Sequence, residues 1–278
     1  MPTTITLLVD NQAETGLKHE HGLSILIEHR GKRILFDNGQ NDGLFYNAQK
    51  LAIRLTDIDL IILSHGHYDH GGNLARLLEI NPNALFYAHP DCMQTRYSLH
   101  PNKSPRTISL SKNTMEAIAA FPAHQKRWIS KATEITPGIW LTGEIPRISE
   151  SEDTGGPFFL DKEKKQADQL HDDMSLWIET AAGLTVICGC CHAGIINTLN
   201  HINGQTGNAR IINNLLGGLH LVNANQQRLK STIDYLNKQN IETLYPAHCT
   251  GDKAMALLKT QFNNKLKIAK AGLQLTLR

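Results

Sequence analysis

The sequence is poor in cysteine, has no marked excess of charge of either sign and contains no long apolar run. Its five cysteines are an odd number, and three of them crowd at 188, 190 and 191, which does not fit a disulfide framework. The 28 basic and 26 acidic side chains nearly cancel, which excludes the charge footprint of a nucleic-acid-binding protein. No apolar run reaches the roughly 18 residues that a membrane-spanning helix needs. The first residues lack the basic stretch and apolar core of a secretion signal.

These absences predict a cytoplasmic protein with reduced thiols. We expect its partner to be a small-molecule substrate, and neither nucleic acid nor a membrane. The hydrophobic share of 41% and the charged share of 19% are ordinary for a globular chain. A length of 278 residues is enough for one large domain or for two intimately packed halves.

Short apolar runs alternate with helical patterns along most of the chain. The apolar runs predict strands at 5–9, 23–28, 33–36, 58–63, 84–87, 139–142, 175–179, 184–188 and 243–245. Helical spacing predicts helices at about 43–53, 72–80, 112–120, 193–201, 224–238 and 252–262. This order favours an α/β protein with layered sheets and helices outside. Two polar stretches, 92–113 and 145–172, are predicted to be long loops, and loops of this length often act as lids.

The most informative segment follows the strand predicted at 58–63. It reads Ser64-His65-Gly66-His67-Tyr68-Asp69-His70-Gly71-Gly72. Residues two apart on an extended segment point to the same side, so His65 and His67 can converge on one ion. Asp69 and His70 follow where the chain turns. Three imidazoles and one carboxylate this close together suit a borderline ion such as Zn²⁺.

The pattern His-x-His-x-Asp-His after an apolar strand resembles the signature of the metallo-β-lactamase superfamily. The resemblance implies an α/β (α+β) fold, a four-layer αβ/βα sandwich in which two sheets lie between helices and the metals lie at the edge of the sheets. It implies a single domain over residues 1–278, built from two similar halves at about 1–135 and 136–278.

The same resemblance implies a set of metal ligands and a supporting residue. His65 and His67 would bind the first metal, and Asp69 and His70 the second. His248, in Pro246-Ala247-His248-Cys249-Thr250-Gly251, stands where the superfamily has a late ligand. Asp37 stands where the superfamily keeps an aspartate beneath the metal loop; a plain turn residue before glycine is the alternative.

One expected ligand is missing. Many relatives have a bridging aspartate after the strand predicted at 184–188, whereas this chain has Gly189-Cys190-Cys191-His192-Ala193-Gly194. Either His192 supplies an imidazole, or Cys190 or Cys191 supplies a thiolate. We favour His192, because the glycine and alanine nearby leave room beside it. A buried thiol pair in a capping turn is the other interpretation, since free cysteines commonly act as small hydrophobes. We therefore predict one or two zinc ions, with manganese or iron accepted by the same donors.

Further segments narrow the resemblance to one branch of the superfamily. Glu20-His21-Gly22, Thr142 to Arg147, Asp172-Asp173-Met174 and Gly217-Gly218-Leu219-His220 occur in the order found in the branch that includes 7,8-dihydropterin-6-yl-methyl-4-(β-D-ribofuranosyl)aminobenzene 5′-phosphate synthase. We predict that His21, Glu144 and Arg147 bind substrate. Arg147 could pair with a phosphate group, because the planar fork of its guanidinium matches phosphate oxygens. A surface ion pair between Glu144 and Arg147 is the alternative.

Two residues are candidates for catalysis. Asp69 would ligate the second ion or orient a water molecule. His220 would act as an acid facing the substrate or as a further metal ligand, and a core histidine bonded to the backbone is the alternative.

The combined pattern predicts a metal-dependent hydrolase of a phosphodiesterase-like kind. It would use a metal-bound hydroxide on a small phosphorylated or heterocyclic substrate, because zinc lowers the pKa of its water to about 7. A second hypothesis, from the branch resemblance, is a pterin-linked transferase similar to the synthase. A third is a non-catalytic or redox binding module on the same fold, which the adjacent thiols of Cys190 and Cys191 permit.

Overall fold

The computed structural model describes residues 2–207 and 210–277. Its strands are β1 (Thr3–Val9), β2 (Ser24–His29), β3 (Lys32–Phe36), β4 (Leu60–Ile62), β5 (Leu85–Ala88), β6 (Tyr97–Ser98), β7 (Arg106–Thr107), β8 (Lys126–Trp128), β9 (Thr133–Thr136), β10 (Ile139–Leu141), β11 (Phe158–Phe159), β12 (Ser175–Thr180), β13 (Gly183–Cys188), β14 (Ile212–Gly218), β15 (Ile241–Ala247) and β16 (Gln274–Leu277). Its α-helices are α1 (Gly43–Lys50), α2 (Tyr68–Gly71), α3 (Leu74–Ile80), α4 (Lys112–Ala120), α5 (Ile195–Thr206), α6 (Gln226–Lys238) and α7 (Asp252–Phe262).

The chain folds into two compact units. Unit 1 contains Met1–Arg96, Thr107–Trp128 and Ala269–Arg278, and unit 2 contains Tyr97–Arg106 and Ile129–Ile268. The organisation inferred from the sequence, one domain of two halves meeting near residue 135, stays a prediction.

Unit 1 is built on a seven-stranded sheet in the order β16-β1-β2-β3-β4-β5-β8. Strands β16 to β3 pair antiparallel, whereas β3, β4, β5 and β8 run parallel. Helices α1, α3 and α4 pack their apolar faces on this sheet through a buried cluster that includes Leu44, Leu77, Ile118, Leu35 and Ile61. The parallel pairing brings the carboxyl ends of β3 and β4 to the same edge of the sheet. Asp37 follows β3 directly, and Ser64 and His65 follow β4.

Unit 2 is built on a six-stranded sheet in the order β15-β14-β13-β12-β10-β9. Strands β13, β14 and β15 are parallel, and each leads into a histidine: His192, His220 and His248 respectively. Helices α5, α6 and α7 bury residues such as Leu199, Leu229 and Leu258 in the core of this unit. Ligands of parallel sheets characteristically bind beyond the carboxyl ends of the strands, so the sheet order places the three histidines where a site is expected.

Most of the predicted elements are present. The helices predicted at 112–120 and 252–262 have the expected bounds. The helix predicted at 193–201 begins at Ile195 and continues to Thr206. The long loops are largely irregular, but they are not free of strands as the sequence predicted: β6 and β7 lie in the first and β11 in the second, in a small sheet of order β11-β6-β7. Within residues 2–207 and 210–277, no helix is long and apolar enough to cross a membrane.

Candidate functional site

The predicted metal segment lies at the end of β4 in unit 1. His67 has extended backbone angles (φ −90°, ψ 148°) and caps α2, so the turn begins at Tyr68 as the sequence pattern predicts. Both His65 and His67 are buried. Gly66 between them packs against the carbonyl oxygen of Cys92, which a Cβ at this position would strike. The glycine therefore sets how closely this segment approaches the chain after β5.

The rings of His65 and His67 approach each other with one nitrogen atom from each ring. Nε2 of His65 lies 3.0 Å from Nδ1 of His67. Two imidazole nitrogens on one tetrahedral zinc ion, each about 2.0–2.1 Å from it, are separated by roughly 3.3 Å. The two side chains therefore fit a shared ion with little movement. The ring of His70 lies nearby, with its centroid 4.3 Å from that of His65.

A hydrogen-bond network centred on Asp37 fixes the tautomers of His65 and His70. The carboxylate of Asp37 accepts from the backbone N–H of Ser64 (2.7 Å) and from its hydroxyl (2.8 Å). Because that hydroxyl donates to Asp37, it accepts from Nδ1 of His65 at 2.8 Å. Nδ1 of His70 donates to the same carboxylate at 2.6 Å. Nε2 of His65 and Nε2 of His70 are thus left as lone-pair donors, as metal-binding histidines require.

Asp69, also in unit 1, is buried and pairs with a more exposed histidine. Its Oδ2 lies 3.0 Å from Nε2 of His21 and 3.8 Å from Nε2 of His70. The side chain of His21 is half exposed. The two residues that the sequence assigned to separate roles, Asp69 to catalysis and metal binding and His21 to substrate binding, thus lie in direct contact.

In unit 2, His192 and His220 lie side by side. Their ring centroids are 4.1 Å apart, and the edge of Phe158 contacts both rings. Nδ1 of His192 lies 2.8 Å from the carbonyl oxygen of Thr154, which can only accept, so Nδ1 carries the proton and Nε2 holds the lone pair. His192, His220 and His248 are all buried.

Several candidate residues adopt left-handed backbone angles. The φ angles are 59° at Asp37, 62° at Cys191, 42° at His220 and 49° at His248. A non-glycine residue in this region costs on the order of 1–3 kcal/mol, and such residues cluster at functional sites. Both units therefore carry local strain at positions that the sequence singled out.

The two candidate thiols occupy different surroundings. Cys191 packs among apolar core residues of unit 2, and its Sγ lies 3.4 Å from Oγ1 of Thr198. Hydrogen bonding to Cys188 and burial raise the pKa of the Cys191 thiol well above its usual range. Cys190 instead lies with Cys249 and His220: the two sulfur atoms and a ring nitrogen are within 4.8 Å of one another. The structure thus places Cys191 in the core and Cys190 among other metal-binding groups.

Asp173 and Arg147 hold the backbone of the Cys190–Gly194 turn. From the sequence, no role was predicted for Asp173, and Arg147 was predicted to bind substrate. Asp173, which is buried, accepts from the backbone N–H of Ala193 at 2.8 Å, and burial raises its pKa to about 6. Asp173 lies two residues before the strand predicted at 175–179, and its place in the branch segment Asp172-Asp173-Met174 was the available signal. Arg147 donates to the carbonyl oxygen of His192 at 2.6 Å, and Glu144 pairs with His171. The substrate-binding roles of Arg147 and Glu144 stay predictions.

A cavity of about 430 Å³ opens beside this turn in unit 2. Its lining comes from the second predicted loop and includes Arg147, Ser149, Thr154, Phe158, Phe159 and Gln169, together with the carboxylates of Glu152, Asp153 and Asp168. This volume lies within the range of small-molecule sites, about 300–1,000 Å³. The aromatic faces and hydrogen-bonding side chains together suit a flat polar molecule.

Comparison with known proteins agrees with this geometry. Residues 18–248 match the sequence profile of the Metallo-beta-lactamase superfamily. The chain is 32% identical over 265 residues to 7,8-dihydropterin-6-methyl-4-(beta-D-ribofuranosyl)-aminobenzene-5′-phosphate synthase of Methanocaldococcus jannaschii, covering 91% of this chain and 88% of the synthase.

Solved structures give the same result. Tm1679, described as a metal-dependent hydrolase of the beta-lactamase superfamily, superposes with a TM-score of 0.83 and 28% identity over 99% of both chains. Zinc-bound PqqB of Methylobacterium extorquens shares the fold, with a TM-score of 0.61 and 15% identity over 99% of this chain and 100% of that one. The predicted fold class and the predicted branch resemblance are confirmed, and the histidine, cysteine and aspartate groups of the described residues could hold a metal ion. The chain belongs to the metallo-β-lactamase superfamily.

Proposed function

We propose that this protein is a metal-dependent hydrolase that acts on a small phosphorylated or heterocyclic substrate. The observation that carries the proposal is the buried pair of His65 Nε2 and His67 Nδ1, 3.0 Å apart, above a network that leaves a lone pair on Nε2 of His65. Tm1679, similar over nearly its whole length, is described as a metal-dependent hydrolase, which supports the same class of reaction.

His65 and His67 would hold the first ion, and His70 and Asp69 a second. His192 and His248 stay the further ligands that the family resemblance implies. A divalent ion such as zinc supplies a Lewis acid and lowers the pKa of a water molecule to about 7 when it is bound.

The protein's own groups supply proton transfer. The buried carboxylate of Asp69 lies within the metal-binding segment, and where it does not ligate a second ion its Oδ2 would accept a proton. His21, 3.0 Å away and half exposed, carries the proton on to solvent. Arg147 lies in the cavity lining and provides positive charge for a phosphate group.

A pterin-linked transferase is the second candidate. The cavity favours it, because Phe158 and Phe159 offer aromatic faces to a fused heterocycle, and Ser149, Thr154 and Gln169 offer hydrogen-bonding groups to its polar edge. The synthase of Methanocaldococcus jannaschii is a relative with a pterin in its name.

The test of the hydrolase proposal compares activity with metal content. The purified chain would be stripped with a chelator, reconstituted with Zn²⁺ or Mn²⁺ and assayed with phosphodiester and ester probes. We expect turnover that disappears on stripping and returns with metal, and a loss of at least about 100-fold in His65→Ala. His124→Ala, at an exposed histidine, is the matched control and should behave as the wild type. A folded, metal-loaded protein that turns over none of the probes would argue against hydrolysis.

The two candidates are separated by binding. Quenching of dihydropterin fluorescence by the wild type, lost in Phe158→Ala, together with no probe hydrolysis, would favour the transferase. Hydrolysis without pterin binding would favour the hydrolase.

A further inference from the structure

We propose that Cys190, His220 and Cys249 form a thiolate-rich site in unit 2 for a thiophilic divalent cation of the Zn²⁺ class. Cys190 also lies within 4.8 Å of the ligand atoms of His192 and of His248, which the proposed function assigns to the metal centre, so this inference rests on the proposed function and adds thiolate donors to it.

The three side chains converge from separate strand ends of one sheet. Cys190 follows β13, His220 follows β14, and Cys249 follows β15. Their ligand atoms lie within 4.8 Å of one another, and relative exposures of 2%, 8% and 7% place all three in the interior. In a tetrahedral zinc site with Zn–S near 2.3 Å and Zn–N near 2.0–2.1 Å, such atoms are roughly 3.6–3.8 Å apart. Small side-chain movements of about 1 Å would therefore complete the coordination.

The histidine of this group has an unused buried atom. Nδ1 of His220 is buried and makes no hydrogen bond to any of the residues that the structure describes. A buried polar nitrogen without a partner costs roughly 1–3 kcal/mol, and a bound cation would remove that cost. His220 also has a left-handed backbone (φ 42°), a strained conformation of the kind that clusters at functional sites.

Backbone packing around Cys249 points to the same conclusion. A Cβ at Gly218 would lie 2.6 Å from Sγ of Cys249, so the glycine leaves the space that the sulfur occupies. Sγ of Cys249 in turn lies 3.5 Å from the carbonyl oxygen of Cys190. All five cysteines are free, so neither thiol is consumed by a disulfide. Two thiolates and one imidazole leave a fourth position open, an arrangement that catalytic zinc sites use.

Cobalt spectroscopy of the full-length, reduced and metal-stripped protein tests this site. Thiolate ligation of Co²⁺ gives strong charge-transfer absorption in the near ultraviolet, whereas histidine and carboxylate ligands alone do not. We expect this absorption in the wild type and its loss, with about one equivalent of bound metal, in Cys190→Ser and in Cys249→Ser. His124→Ala, at an exposed histidine, should keep the absorption.

Cys191→Ala is the matched control, because this adjacent thiol faces the core instead. It should retain the absorption. A folded wild-type protein that binds Co²⁺ without thiolate absorption would overturn the proposal, as would absorption that persists in both serine variants.

A second measurement covers variants that fail to fold. In the wild type, one equivalent of Cd²⁺ should protect Cys190 and Cys249 from alkylation under mildly denaturing conditions, as read by peptide mass spectrometry. Equal alkylation of these cysteines with and without Cd²⁺ would refute the site.

Discussion

Replacement of Asp37 by asparagine tests how the unit 1 network prepares the metal ligands. Asparagine has the same shape as aspartate and tolerates the left-handed backbone at this position (φ 59°), so the substitution adds no backbone strain. It converts one acceptor oxygen into an N–H₂ donor. If the remaining oxygen stays on the N–H of Ser64, the new donor faces the hydroxyl of Ser64 and Nδ1 of His70, and each of these can then only accept from it. The proton of His70 moves to Nε2, and that nitrogen can no longer bind a metal.

The expected losses of metal affinity and of stability follow from the hydrogen bonds that Asp37 accepts. Removing a partner that orients a metal-binding histidine typically costs 10–100-fold in affinity, or about 1.4–2.7 kcal/mol. Loss of the charge-assisted bond to His70 should lower the free energy of unfolding of the metal-free protein by roughly 2–3 kcal/mol. Asp37→Ala should cost more, roughly 4–6 kcal/mol, because it also leaves the N–H and hydroxyl of Ser64 without their acceptor.

Competition with a chromophoric chelator measures the affinity, and urea denaturation measures stability. Asp59→Asn is the matched control: Asp59 precedes β4, accepts from the backbone N–H of Arg33 at 2.9 Å and from Lys32, and touches none of the metal-segment histidines. It should leave metal affinity unchanged. An unaltered metal dissociation constant in folded Asp37→Asn would refute the claim that Asp37 sets the tautomer of His70.

Three other substitutions follow from the same reasoning. Burial raises the pKa of Asp173 from 3.8 to about 6, so its stabilising contribution is complete below pH 3.8 and is lost as the pH rises through 6. Between pH 4.5 and 7.5 the free energy of unfolding of the metal-free protein should therefore fall by about 2 kcal/mol from this group, and Asp173→Asn should remove that fall in urea titrations. Parallel pH dependences of the two proteins would contradict this. Gly66→Ala should push the metal segment away from the carbonyl of Cys92 and abolish metal binding by His65. A metal content equal to that of the wild type, measured on the purified variant, would contradict this. Glu152 accepts from the N–H groups of two residues in the first turn of α5, so Glu152→Ala should lower the midpoint of urea unfolding by an amount equivalent to roughly 1–2 kcal/mol, and an unchanged midpoint would show that water replaces the cap.

Helices and strands could be predicted from the sequence where a single local signal, such as a capping residue or an apolar periodicity, dominates. Helix α4 could be delimited because Ser111 caps it and apolar residues recur at helical spacing. Strand β14 was missed although it is central to the unit 2 sheet. Its two asparagines interrupt the apolar run; in the folded protein, their side chains bond to Glu242 and Thr185 on the neighbouring strands. Those partners are distant in sequence and could not be anticipated from β14 alone.

The candidate site, like the fold, could be predicted where its residues are close together in the sequence. The spacing from His65 to His70 was enough to indicate a metal site, because those residues are local to one segment. Cys190 and Cys191 could not be told apart in the sequence. The left-handed backbone at Cys191 turns the chain, so neighbouring thiols enter different surroundings. Such a turn is set by the packing of the whole sheet end rather than by the six residues around it.

The pairing of β16 with β1 has a consequence for how the protein is made. Thr3 lies opposite Leu277, so β1 acquires this neighbour only after all of unit 2 has been synthesised. The roughly 150 residues between Trp128 and Leu277 take about 8–30 s at about 5–20 residues per second. During that interval β1 presents an open edge to other nascent chains. Unit 1 is therefore completed only after unit 2 has been synthesised, and until then β1 lacks the neighbour that covers its edge.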